Sequence, residues 1–256
     1  MTDQLRRQRC KNCLGIAACA MVAAVTVSPL AQQSSPPSLT EAEIFLELNH
    51  TDGDLGLHAS IDGQPWRSLD IEGPGESLLL SLVSRGRLAT HGVTQLAFES
   101  AEPSFDELAP ARFFRRFPEG RYEIDARALD GTEMEAVATL SHILAAPPGN
   151  IFVAGLPAAD NCDAVLPQVR PPVHIEWDPV TTSHPQIGKA GPVAIEKYQL
   201  FVEGGGAQLS LDLPPTVTRV EIPELITSLG KVFKFEIIAR TTRGNNTAVE
   251  SCFTLF

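Results

Sequence analysis

The 256-residue sequence predicts an all-β protein, and three features predict it. Apolar residues recur at every second position: Ile44, Leu46 and Leu48, then Leu55, Leu57 and Ala59, then Leu69 and Ile71, then Leu78, Leu80 and Leu82. That is the period of a strand with one buried face. Asp52-Gly53, Asp62-Gly63 and Gly73-Pro74-Gly75 fall between these sets and are turn formers. The composition, 43% hydrophobic with 19 Gly and 20 Pro, suits a turn-rich globular chain, and the length suits two domains.

The first thirty residues read separately. Arg6, Arg7, Arg9 and Lys11 precede an uncharged run over 14–27, followed by Ser28-Pro29-Leu30-Ala31. A basic flank, a short apolar core and a small residue beyond it are the parts of a secretory signal peptide. The run is shorter than the roughly 20 residues that span a bilayer. Residues 1–31 are therefore expected to be a cleaved leader, and the mature protein to be secreted or periplasmic, with no stable membrane span. Losing four basic residues and one acid moves the net charge from −11 to about −14. Such a surface argues against nucleic acid and anionic membranes as partners.

Of five cysteines, Cys10, Cys13 and Cys19 belong to the leader. Cys162 and Cys252 remain, and in an exported protein they are expected to pair, the alternative being two buried free thiols.

Gln32-Gln33-Ser34-Ser35-Pro36-Pro37-Ser38 begins a polar lead-in over 32–40, and structure is expected from Glu41. Leu96 and Phe98 mark a further strand, Pro110 opens a short helix held by Phe113, Phe114 and Phe117, and Pro118 ends it. Tyr122, Ile124 and Ala126 form one strand face; Met134, Ala136, Ala138 and Leu140 form one face of the return strand. Only a three-residue loop, Leu129-Asp130-Gly131 with a left-handed Gly131, puts both sets on the same side. Ala145-Ala146-Pro147-Pro148-Gly149 reads as a linker between domains at 41–146 and 147–256.

In the second domain, Val173, Ile175 and Trp177 alternate, Tyr198 sits in the next strand, and Phe233, Phe235, Ile237 and Ala239 precede Thr241-Thr242-Arg243-Gly244-Asn245. This order resembles a fibronectin type III module, which implies a β-sandwich used for holding and binding. Two departures stand out: Phe233 replaces the tyrosine that ties the sixth strand to its corner, and the loop over 179–193 is long. In the first domain, Phe117-Pro118-Glu119-Gly120-Arg121-Tyr122 through Asp130-Gly131 resembles bacterial immunoglobulin-like modules. The two resemblances imply two β-sandwich domains.

Candidate chemistry is sparse. Asn49, Asp52 and Asp54 offer oxygen ligands around Gly53 for calcium, but the bidentate acid expected downstream is missing and the segment sits between strands, so it reads first as a β-turn. The histidines show no zinc-ligand spacing, and alternation puts His58, His142 and His174 on solvated faces. No Gly-x-Ser-x-Gly elbow or phosphate loop occurs, and Gly204-Gly205-Gly206 reads as a hairpin turn. Trp66 is the single aromatic placed on a loop, a sugar-stacking candidate or else a core anchor. The expected function is non-enzymatic binding or scaffolding, with a protein or glycan partner and no cofactor. The competing expectation is a calcium-assisted carbohydrate-binding module.

Overall fold

The two-residue period becomes strand pairing from Leu39 onward in a computed structural model that describes residues 38–256. The expected leader over 1–31 and most of the expected lead-in over 32–40 lie outside the described residues. The chain is all-β: the sequence period of two is what the strands use.

β1 (Leu39–Asn49) turns through Asp52-Gly53, where Gly53 has a φ of 69°, into β2 (Asp54–Gly73). Then follow β3 (Ser77–Val83), helix α1 (Leu88–His91), β4 (Val93–Glu99), helix α2 (Pro110–Arg116), β5 (Gly120–Ala128) and β6 (Glu133–Leu140). The turn expected at Asp62-Gly63 is absent. β2 runs through it and changes partners there, pairing first with β1 and β4 and afterwards with β3 and β5. A strand that crosses from one layer to another bends without reversing, and Gly63 is required at the bend. A Cβ there would lie 2.7 Å from the Ser38 carbonyl oxygen.

The register of β5 and β6 is the expected one. Tyr122 faces Ala138, Ile124 faces Ala136 and Ala126 faces Met134 across a loop of 129–131, with Gly131 at a φ of 91°. The Tyr122 hydroxyl donates to the Pro118 carbonyl at 3.0 Å, a tyrosine corner that the alternation alone did not reveal. Pro110 opens α2 as expected, and buried Phe113 fastens it to a core of Leu46, Leu57, Ile61, Leu69 and Ile124.

The second half comprises β7 (Phe152–Val153), β8 (Leu156–Pro157), β9 (Gln168–Val169), β10 (Val173–Glu176), β11 (Ile195–Gly204), β12 (Ala207–Leu213), β13 (Arg219–Ile222), helix α3 (Glu224–Thr227), β14 (Val232–Thr241) and β15 (Asn246–Leu255). One sheet runs β13-β10-β7-β8; β12-β11-β14-β15 supplies the other wall of a core containing Trp177, Tyr198, Phe233 and Phe253. Phe233 stacks on Phe253, with ring centres 5.3 Å apart, where a tyrosine would have sought a hydrogen bond. Tyr198 instead supplies the tie, accepting the Val180 amide at 2.8 Å.

The two cores share one sheet. β15 pairs parallel with β1, so a single sheet runs β12-β11-β14-β15-β1-β2-β5-β6. The segment 145–149, expected as a linker, begins with a fully buried Ala145 whose carbonyl accepts from Thr247 Oγ1.

The junction is closed by Asn245, which is wholly buried. Its Oδ1 accepts the Leu46 amide at 2.9 Å, and its Nδ2 donates to the carbonyls of Ser141 (2.7 Å) and Ile143 (3.0 Å). The hairpin that delivers it repeats the form of the β5–β6 hairpin: Thr241 N–H donates to Asn245, Gly244 N–H donates to Thr241, and Gly244 has a φ of 91°.

The long loop over 179–193 straps the same junction. Ala146 N–H donates to Thr182, His184 N–H to Leu144 and Lys189 N–H to His142, while Lys189 Nζ pairs with Glu119. Cys162 and Cys252 form the expected disulfide across a separation of 90 residues.

Two outcomes follow from this wiring. Asn245→Ala leaves three backbone groups without partners and should cost about 3 to 5 kcal/mol in urea unfolding. The Cys162→Ser, Cys252→Ser double variant should lose up to about 4 to 5 kcal/mol, the entropy of the opened loop, read as a lower denaturation midpoint with an unchanged fold by circular dichroism.

Candidate functional site

Alternation along four adjacent strands sends one set of side chains into the cores and the other onto a shared outer face. Glu43, Phe45, Glu47 and Asn49 of β1 share that face with Asn246 and Glu250 of β15, Lys234, Glu236 and Arg240 of β14, and Lys197 and Phe201 of β11. Two charged clusters form on it, one around the Arg240–Asn246 pair and one around the Glu236–Glu250 pair.

The first centres on Arg240, which is 8% exposed. Its guanidinium reaches Glu43 at 2.5 Å, Glu196 at 3.6 Å and Asn246 Oδ1 at 3.4 Å, and lies 4.8 Å over the Phe45 ring. Asn246 passes the link on to Glu47 at 2.7 Å. Fixed hydrogen bonds and the ring face together hold this cation beneath the surface. A cleft of about 560 Å³ opens beside it, bounded by Glu43, Phe45, Val137, Glu196 and Arg243.

The second cluster is acidic. Glu236 stands directly opposite Glu250 in the β14–β15 ladder, and Lys234 Nζ meets Glu250 at 2.6 Å. Asn49 Nδ2 donates to Asp52 at 3.3 Å and to Glu250 at 3.2 Å, bringing the β1–β2 turn into contact with β15. Burial, then the neighbouring charges of Asp52, Glu250 and Glu47, push the Asp54 carboxyl up to about 6. Burial, then Glu47 and Glu250, push Glu236 up to about 7 against the opposing pull of Lys234. Both shifts have the same cause: carboxylates crowded where water is partly excluded.

The residues singled out for calcium thus sit together, joined by Glu47, Glu236 and Glu250. Asn49 Oδ1 is committed to the amides of Thr51 and Asp52, closing the turn, while Asp54 Oδ1 is buried with no hydrogen-bond partner. Among the described residues no group of three or more His, Cys, Asp or Glu side chains is arranged to hold a metal ion. Sequence reasoning missed Glu236 and Glu250 because β14 and β15 lie almost 200 residues further along the chain, and it missed Glu47 because nothing local to β1 brings it to them. Their one local signal is an acid at an outward-facing position of each strand.

Trp66 is not a surface aromatic. It is 2% exposed inside the first core, because β2 continues through the expected loop and turns the indole inward. Of the histidines expected on solvated faces, His58 and His174 alternate with buried neighbours on their strands, His58 lying half-buried against Phe45 on the outer face and 3.2 Å from Glu102. His142 departs: it is buried against Phe114, with Nε2 2.7 Å from the Phe117 carbonyl. Each was placed by strand alternation, whereas His142 lies just past the end of β6, where that alternation has stopped. His184 is buried in the strap: its Nδ1 accepts the amides of Gln186 and Ile187, and its Nε2 lies 3.3 Å from His50 Nδ1. Burial, then His50, holds His184 below the usual imidazole range.

No family model matches this chain, and no curated protein matches it. Among solved structures it is similar to the human OSCAR ligand-binding domain, at 14% identity over 82% of this chain and 96% of that one, with a TM-score of 0.26. A tetra-tandem repeat from the extending region of a large adhesion protein is 12% identical over 84% of this chain and 50% of that chain, with a TM-score of 0.28. A Ca²⁺-stabilised adhesin that helps an Antarctic bacterium bind ice is 10% identical over 84% of this chain and 50% of that chain, with a TM-score of 0.26. Likeness at this level says nothing of what this chain binds. No described helix is long and apolar enough to cross a membrane.

The crowded acids fix a pH dependence. A carboxyl raised in the fold contributes stability that is present at low pH and lost as pH rises through its folded value, so Glu236 costs stability between about pH 5 and 8. His184, held low, has the opposite sign and removes stability as pH falls below its unfolded value. Glu236→Gln should therefore raise the melting temperature at pH 8 and leave it near wild type at pH 5, as measured by calorimetry at both values.

Proposed function

We propose that this chain is an exported, non-enzymatic protein that binds or scaffolds, built from an immunoglobulin-like region over 41–146 and a fibronectin type III-like region over 147–256. The observation that carries the reading is the buried Asn245 junction, which joins two cores into one sheet and fixes the outer face across it. A rigid, charged face of this kind suits recognition of a partner, because little conformational freedom is left to lose on binding. The second region's sheets, β13-β10-β7 against β12-β11-β14-β15, together with inward Trp177, Tyr198 and Phe235, support the type III likeness. The Cys162–Cys252 disulfide supports an oxidising, extracytoplasmic location.

A protein partner is favoured over a glycan, since Trp66 is in the core and sugar stacking needs an exposed aromatic. The calcium reading keeps one supporting observation, the buried, unpartnered Oδ1 of Asp54 beside Asp52 and Glu250.

The test pairs capture from the exported fraction with charge reversal on the outer face. Wild-type protein should retain a partner that a Glu47→Lys, Glu250→Lys variant loses by at least about tenfold in affinity, as expected when a complementary charge is inverted. Equal capture by both removes the outer face from the reading. Calcium is tested by titration calorimetry of the mature protein: heat that disappears in Asp54→Asn upholds the calcium site, and no heat removes it.

A further inference from the structure

The β11–β12 hairpin leaves one strand edge open at the end of the long sheet. Gly204 pairs with Ala207 across the two-residue loop Gly205-Gly206, both with positive φ. In such a hairpin the closing pair is hydrogen-bonded, and every second pair after it is too. Ala207, Leu209, Leu211 and Leu213 therefore turn their backbone groups toward β11. Gln208, Ser210 and Asp212 turn theirs outward, where no strand pairs with β12 and no described backbone hydrogen bond reaches them. Three amides and three carbonyls face away from the protein along seven residues.

Natural edges of this length are blunted by charged side chains, Lys above all, by Pro or by a bulge. β12 has no Lys, Pro or bulge and a single charge, Asp212 near its end, and its register with β11 is unbroken. At the opposite end of the sheet, β6 carries Glu133 and Glu135. Two acids at neighbouring exposed positions blunt that edge.

We infer that β12 is a self-association edge, pairing antiparallel with β12 of a second copy about a two-fold axis through Ser210. That register places Ser210 opposite Ser210 of the second copy and Gln208 opposite Asp212, so all outward groups are used in six intermolecular hydrogen bonds. Shifting the axis to Asp212 would oppose two like charges, and shifting it by one residue in either direction leaves outward groups unpaired. The chosen register also sets half-buried Leu209 against Leu211 and Ala207 against Leu213. An apolar column is thereby extended across the axis, and an amide faces a carboxylate on the exposed side. Asp212 already accepts from Lys197 at 2.7 Å and Gln199 at 2.8 Å, which fixes its carboxylate for the incoming amide. The sheet then runs continuously through both copies. This association goes beyond the binding reading above and does not depend on it.

Sedimentation velocity of the mature protein over a wide concentration range tests it. Wild type should show a monomer–dimer equilibrium. Ser210→Pro removes an outward amide and no β11 hydrogen bond, and should weaken the dimer at least about tenfold while circular dichroism stays unchanged; Ser210→Lys, which opposes two cations at the axis, should do the same if the proline variant fails to fold. Gln208→Lys, facing Asp212 of the second copy, should tighten the dimer about three- to tenfold. A monomer at every concentration overturns the inference. So does a dimer indifferent to both Ser210 variants, or a monomer that instead takes up an extended foreign peptide at this edge.

Discussion

The rest of the structure depends on how one side chain is satisfied. Asn245 has no access to water, so each of its polar atoms must find a partner inside the protein. It finds them on two other segments: the Leu46 amide of β1, and the Ser141 and Ile143 carbonyls just after β6. Those groups would be orphaned by any other arrangement of the two cores. The parallel pairing of β15 with β1 begins one residue beyond, at Asn246. Burial of a fully bonded amide thus sets the register in which the halves meet, and the strap over 179–193 and the Lys189–Glu119 pair close around it.

The fixed junction has an electrostatic consequence. Aligning β14, β15 and β1 side by side puts Glu236, Glu250 and Glu47 on one face and draws the β1–β2 turn, with Asp52 and Asp54, against them. Each carboxylate would ionise readily alone on a strand. Brought together and partly dried, two of them are raised toward neutrality, and Lys234 offsets only part of the repulsion. Stability is therefore spent on keeping these acids adjacent. A few residues away, Arg240 is paired on every side by Glu43, Glu196, Asn246 and the Phe45 ring. The face is locally acidic above the junction and neutralised beside it.

The two halves also treat one structural need differently. Both end in a three-residue hairpin closed by a left-handed glycine, Gly131 in the first and Gly244 in the second. The strand entering the first hairpin carries Tyr122, tied to Pro118. Its counterpart carries Phe233, stacked on Phe253, and the hydroxyl that ties a backbone in this half is Tyr198, which accepts the Val180 amide. That bond anchors the start of the long loop over 179–193.

The all-β class, the strand faces, the helix from Pro110, the Leu129-Asp130-Gly131 loop and the Cys162–Cys252 pair were legible in the sequence. Each depends on interactions over a few residues or on simple residue counting: side-chain period, turn chemistry, a proline at a helix start, two cysteines beyond the first thirty residues. Glu236 and Glu250 as neighbours of Asp54, the passage of β2 straight through Gly63, the burial of His142 and the role of Asn245 were not. They arise from pairings between β1 and strands almost 200 residues away, or from a bend at Gly63 where a local signal reads as a turn. Local preference states what a residue can do; only the tertiary structure decided which distant backbone groups Asn245 satisfies, because burial makes a polar group's distant partners obligatory.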